Sequence, residues 1–216
     1  MGARSPAGAG ERGCRMLKKS GVLCLALGLT VLVCPGTAEA QELALTVGKF
    51  LGDDVLESVP VVGPPARIGF GDGTLFGARF SMGLLFAEFE ASLATAGSSV
   101  LGETPGEFSA RLTYAEAGVL MKIFPGPVAP FLAGGIGYHR IGWGMDGADS
   151  YGRMGYYIGA GLKLGLGKIG VRGDLRDHIT PIKLADLDPG VATAIGLAND
   201  VTVHNLELSV ALVISF

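Results

Sequence analysis

Downstream of Leu43 the chain alternates apolar and polar residues with a period of two, the spacing of a strand with two unlike faces and not of a helix. The last segment shows it most clearly. Leu206, Leu208, Val210, Leu212, Ile214 and Phe216 fall on one face, and Asn205, Glu207, Ser209, Ala211, Val213 and Ser215 on the other. In the segment before it, Ile169, Val171, Gly173 and Leu175 oppose Arg172, Asp174, Arg176 and His178. Tyr156, Ile158, Ala160, Leu162 and Leu164 likewise oppose Tyr157, Gly159, Gly161 and Lys163. Upstream, Phe76, Ala78, Phe80 and Met82 oppose Gly77, Arg79 and Ser81, and Ala87, Phe89, Ala91 and Leu93 oppose Glu88, Glu90 and Ser92.

Three further segments alternate less cleanly. Leu43, Leu45 and Val47 make a short first strand, and Leu132, Ile136 and Tyr138 alternate with Ala133, Gly135, Gly137 and His139. Between Phe108 and Ile123 the phase changes. Leu112 and Tyr114 share a parity with Glu116, whereas Ala115, Val119 and Met121 share the other, and a bulge near Tyr114 would reconcile them. The pattern therefore predicts eight strands. Gly-, Pro- and Asp-rich gaps at about 51–73, 94–107, 140–153 and 179–202 alternate with tight turns near Gly83, at Phe124–Pro127 and at Gly165–Gly167. That rhythm puts four long loops at one end and the short turns at the other, the layout of a transmembrane barrel.

What sits opposite the apolar face separates a membrane barrel from a soluble sandwich. Arg79, Glu88, Glu90, Arg111, Lys163, Arg172, Asp174, Arg176 and Glu207 occupy it, with both signs represented. Glycines at 77, 135, 137, 159 and 161 share that face. Small residues beside long charged ones suit the interior of an eight-strand barrel, which side chains just fill. On the wet face of a sandwich they would only weaken the strand. The fold expected is all-β: a closed, eight-stranded, antiparallel up-and-down transmembrane β-barrel over residues 41–216. Its lumen would carry a charge network of Arg79, Glu88, Glu90, Arg172, Asp174, Arg176 and Glu207.

The N-terminus follows another pattern. Arg12, Arg15, Lys18 and Lys19 precede the apolar run Gly21–Val33, and Ala38-Glu39-Ala40 supplies the small residues that signal peptidase reads. Residues 1–40 are thus a predicted secretory signal peptide, cleaved before Gln41. Met16 is the more ordinary start, which would make residues 1–15 an upstream extension. Val33 before Cys34 and Leu23 before Cys24 do not fit a lipoprotein signal. Cys14, Cys24 and Cys34 all lie in the leader, so the mature part has no cysteine for a disulfide, thiolate metal site or nucleophile. From Gln41 onward 12 Lys and Arg face 18 Asp and Glu, which argues against nucleic acid as a partner.

The terminal strand, NLELSVALVISF, resembles the signal read by the barrel-assembly machinery, with Leu208, Val210, Leu212, Ile214 and the final Phe216 as its in-phase apolar residues. Pro130-Phe131-Leu132-Ala133-Gly134-Gly135-Ile136-Gly137-Tyr138 is similar to a Pro-aromatic strand, and Gly170–Arg176 to the penultimate Arg-x-x-x-Arg strand, of one superfamily. The mature chain thus resembles the small OmpA/OmpX-like barrels of Gram-negative outer membranes, ending at the barrel without a peptidoglycan-binding domain. The resemblance implies an integral outer-membrane location with outer-membrane lipid and lipopolysaccharide as neighbours. It also implies periplasmic chaperones and the barrel-assembly machinery as partners in biogenesis. The superfamily hosts many functions, so it leaves the activity open.

Three roles are compatible with such a barrel: a structural, surface-contacting protein, a narrow OmpW-like channel for small hydrophobic molecules, and a lipid A-modifying hydrolase. The first is the reading preferred, without enzyme activity and without cofactors. For the third, His178 and Thr180 are weak catalytic candidates in Asp177-His178-Ile179-Thr180, which faintly resembles the His-x-Ser of the deacylase PagL. A Thr hydroxyl needs an imidazole to take its proton and a carboxylate to orient the ring, for which Asp186, Asp188 or Glu207 could serve. Thr in place of Ser, and Pro181 after it, depart from that pattern. No metal site is expected, because His139 and His204 show no second ligand at metal spacing. Gly69–Gly73 and Gly159–Gly161 are not followed by a helix and do not read as phosphate loops. Asp53-Asp54, Asp146/Asp149 and Asp186/Asp188 read as solvated loop charge.

Overall fold

The computed structural model describes residues 40–216 other than 53–55, 58–66, 85, 102–107, 146, 195–196 and 198. The predicted leader, up to Glu39, and loop residues Asp53, Asp54 and Asp146 lie outside the described residues. Ten strands follow one another: β1 (Ala40–Leu51), β2 (Leu56–Glu57), β3 (Arg67–Phe70), β4 (Gly73–Leu84), β5 (Ala87–Leu101), β6 (Phe108–Lys122), β7 (Val128–Trp143), β8 (Tyr151–Leu166), β9 (Ile169–Ile182) and β10 (Val201–Ser215). Eight of them form the barrel, in the ring order β1-β4-β5-β6-β7-β8-β9-β10, every neighbouring pair antiparallel. The ring closes where β10 returns to β1, from Glu42 opposite Ser215 to Leu51 opposite Leu206. The short β2–β3 hairpin pairs onto the far end of β5.

Alternation decides which way each side chain points. Leu45, Val47, Phe76, Phe89, Leu93, Leu132, Ile136, Ile158, Leu162, Leu208 and Val210 are exposed on the outside of the ring, while Arg79, Glu90, Arg172, Asp174, Arg176 and Glu207 are buried within it. In this half the barrel is inverted relative to a soluble protein. Closure gives each of the eight barrel strands a partner on both sides, which is the condition for a β-structure to sit in hydrocarbon. The outer band ends along a line of Lys49, Thr74, Thr95, Thr113, Arg140 and His204, beyond which Asp72, Ser99, Ser109, Arg111 and Thr202 are among the outward residues. On β10 it runs from Leu206 to Phe216, about eleven residues, the length of a tilted membrane strand.

Beyond that line the arrangement reverses. Phe50, Leu75, Leu112, Tyr114, Ile141, Trp143 and Ile182 point inward and pack with Leu187, Val191 and Leu197 of the segment between β9 and β10. This segment carries a 3-10 turn (Leu184–Asp186) and a one-and-a-half-turn helix, α1 (Pro189–Ala194). The reversal accounts for the phase change in β6 without a bulge. The β5–β6 register runs unbroken from Ala87 opposite Met121 to Val100 opposite Phe108. Tyr114 and Leu112 face inward with Glu116, and Arg111 is exposed on the outside, so it does not join the polar inner face on which a bulge near Tyr114 would have put it.

The same reversal shortens two of the four expected loops. β5 continues to Leu101 and β6 resumes at Phe108, and β7 and β8 are separated only by residues 144–150. The strands pair past the apolar band, where the apolar residues turn inward. The tight turns lie near Gly83, at 123–127 and at Gly167-Lys168, where Gly167 takes a left-handed φ of +84° that disfavours a side chain.

Candidate functional site

The inverted half of the lumen holds three tiers of charge. Nearest the tight turns, Lys163 of β8 pairs with Glu42 of β1 and reaches Glu88 of β5 at 3.2 Å, and Lys122 of β6 pairs with the same Glu88. The middle tier is denser. Arg172 Nη1 lies 2.5 Å from Glu90 Oε2, and Arg176 Nη2 lies 2.6 Å from Glu90 Oε1. Both guanidinium groups also reach Asp174, at 2.7 and 3.1 Å. Arg79 of β4 completes the tier, 2.8 Å from Asp174 Oδ2 and paired with Glu207 of β10. Arg172 and Arg176 lie over the rings of Phe131 and Tyr157, at 4.5 and 4.8 Å from the centroids.

Small inward residues make this possible. A Cβ at Gly159 would come within 2.9 Å of Arg176 Cγ, and one at Gly135 within 2.7 Å of the Tyr157 ring. Glycine at these positions is a matter of space, not of backbone freedom.

The third tier lies under the apolar cap. His178 Nδ1 is 2.8 Å from Glu116 Oε1, and His139 Nε2 is 3.0 Å from the same oxygen. The other ring nitrogens are also engaged: His178 Nε2 with Glu207 Oε2 at 3.0 Å, and His139 Nδ1 with Thr180 Oγ1 at 2.7 Å. Tyr114 stacks on His178 with centroids 4.3 Å apart and meets His139 edge-on at 4.9 Å.

The seven residues expected in one network therefore divide. Arg79, Glu90, Arg172, Asp174, Arg176 and Glu207 form one cluster, and Glu88 belongs with Lys122, Lys163 and Glu42. The sequence reading missed Glu42, Glu116 and Lys122 as partners, although each has the inward parity of its strand. The hydrolase constellation is rearranged as well. The imidazole beside the Thr180 hydroxyl is His139, not His178, which bridges Glu116 and Glu207 instead. Asp186 pairs with Arg153, and Asp188 accepts the backbone N–H of Gly190 at the start of α1. His178 and Thr180 are 1 % and 2 % exposed.

The absence of a second ligand for His139 is corrected too. Ligand atoms of Glu116, His139 and His178 lie within 4.8 Å of one another. Spacing along the chain could not show this, because the three residues come from β6, β7 and β9. His204, by contrast, points outward and meets Asp177 at 2.8 Å. The residues expected to form the assembly signal, Leu208, Val210, Leu212, Ile214 and Phe216, all project outward from β10 and are exposed.

A closed eight-strand antiparallel barrel, apolar outside and charged inside, has the architecture of the small outer-membrane barrels. Solved structures that share the fold include the following two. Neisserial surface protein A matches with a TM-score of 0.56 at 13% identity, over 82% of this chain and 97% of that one. The outer membrane protein AlkL, determined in DMPC lipid bilayers, matches with a TM-score of 0.54 at 13% identity, over 100% of this chain and 97% of that one. No protein-family model and no curated protein matches the sequence, so the likeness is one of fold.

Proposed function

We propose that the protein is an integral outer-membrane barrel with a structural, surface-contacting role and a lumen that does not conduct. The outer apolar band and the inverted interior support the membrane location, as does a fold shared with a protein studied in lipid bilayers. Lipid and lipopolysaccharide are then its surroundings, reached after export with a cleaved signal peptide and insertion by the assembly machinery. The surface-contacting part is the polar collar above the band, with Leu187, Val191 and Leu197 packed into its mouth.

One observation carries the closed-lumen reading. The cations Arg79, Lys122, Lys163, Arg172 and Arg176 each have a carboxylate partner inside a barrel that side chains fill. The apolar cap closes the other half. In planar bilayers the refolded protein should give no steady conductance. Discrete ion-selective steps would reject the reading in favour of a narrow channel. The burial of Thr180 and His178 speaks against access by an acyl chain, so lipid A mass should be unchanged by the protein. A mass loss that disappears with His178→Ala would favour the hydrolase.

A further inference from the structure

We propose that Glu116, His139 and His178 form a binding site for one divalent transition-metal ion, zinc by preference, inside the barrel. Three observations converge on it. The first is the donor set. Two imidazoles and one carboxylate are ligands that zinc accepts, and three protein ligands leave its fourth position open. His178 Nδ1 and His139 Nε2 both point at one oxygen of Glu116, at 2.8 and 3.0 Å. Ligand atoms each 2.0–2.1 Å from a tetrahedral zinc lie about 3.3 Å apart. The three ligand atoms lie within 4.8 Å of one another, so lengthening the two contacts to Glu116 by a few tenths of an ångström and drawing the two nitrogens together would form the site.

The second observation is the outer shell. A metal-bound histidine usually gives its other ring nitrogen to a carboxylate or another fixed acceptor, which sets the tautomer and holds the ring. Both histidines have such a partner here, Glu207 Oε2 for His178 and Thr180 Oγ1 for His139. Ser92 Oγ lies 3.3 Å from the second oxygen of Glu116. Stacked Tyr114 fixes the His178 ring further. The rings are already oriented for an ion.

The third is charge. Glu42, Glu88, Glu90, Asp174 and Glu207 each pair with Lys or Arg. Glu116 alone, among the described lumen carboxylates, has imidazoles as its only ion-pair partners. Imidazole is thus the only charge-compensating group beside this buried carboxylate among the described residues, and a divalent ion held between the three donor atoms would offset it more fully. Because the apolar cap seals this level, the ion would enter as the barrel folds, coupling binding to folding.

The test uses the mature chain without added histidines, refolded into detergent with equimolar Zn²⁺ or Co²⁺ and then freed of loose metal. About one ion per folded barrel is expected, and the cobalt form should show the visible absorption bands of a tetrahedral N/O site. His139→Gln, His178→Gln and Glu116→Gln should each lower retained metal at least tenfold while His204→Gln, on the outer surface, retains it. Zinc should also raise the urea unfolding midpoint of the unaltered chain, which needs no variant to fold. A folded barrel that keeps no metal and whose midpoint ignores zinc overturns the proposal. So does metal retention unaffected by the three substitutions. Neither result bears on conductance, so the proposal stands or falls apart from the closed-lumen reading.

Discussion

Arg176 and Glu90 meet across the full width of the barrel. Their strands, β9 and β5, stand four places apart whichever way the ring is followed, and 86 residues separate them in the chain, yet Nη2 lies 2.6 Å from Oε1. The contact is a strut between opposite walls. It exists because an eight-strand interior is narrow enough for one Arg and one Glu to span it together.

Cutting this strut should be costly. Arg176→Met leaves Glu90 and Asp174 buried with one cation fewer, and breaking a buried pair typically costs about 3–5 kcal/mol. Replacing both partners, as Arg176→Met with Glu90→Leu, should recover most of that loss, because the uncompensated charge is removed as well. Urea titrations of the four species in one detergent give the coupling energy. A coupling near zero would show that the two residues do not support each other.

The two faces of β10 should respond differently to the same side chain. Val210 is exposed on the outside and Ser209 is buried beside Glu207. Val210→Arg should cost about 2–4 kcal/mol at the bilayer midplane, and the penalty should grow in lipids with longer chains. Ser209→Arg should cost about 1–3 kcal/mol through overpacking, with no dependence on chain length. Refolding titrations in two lipids of different thickness separate the cases. Equal behaviour of both variants would contradict the assignment of faces.

Phe216 closes the seam as well as ending the apolar series. Its backbone N–H donates to the carbonyl of Gln41 at 3.0 Å, joining the end of the chain to the first strand, while its ring is exposed outside. Removing Phe216 should leave export intact but sharply reduce the heat-modifiable barrel recovered from outer membranes. Normal recovery would deny the residue any role in assembly.

The sequence by itself determined the period, the number of barrel strands and the inward or outward sense of the residues of the first strand and of the strands before and after the 108–123 segment. It could do so because a strand's faces follow parity, which needs no knowledge of neighbours. The inward set of Arg172, Asp174, Arg176 and His178 was legible for that reason. Partners were not. Which carboxylate meets which guanidinium depends on ring order and stagger, so Glu90 with Arg176, and Glu116 with His139 and His178, emerged only once eight strands had closed.

The same limit explains Arg111 and the bulge expected near Tyr114. Parity says that Leu112 and Glu116 share a face. It does not say that the outside turns from apolar to polar between Ala115 and Arg111 while the inside does the opposite. That boundary is set by where the outer apolar band ends along a tilted barrel. Only the assembled structure fixes how far each strand extends beyond it.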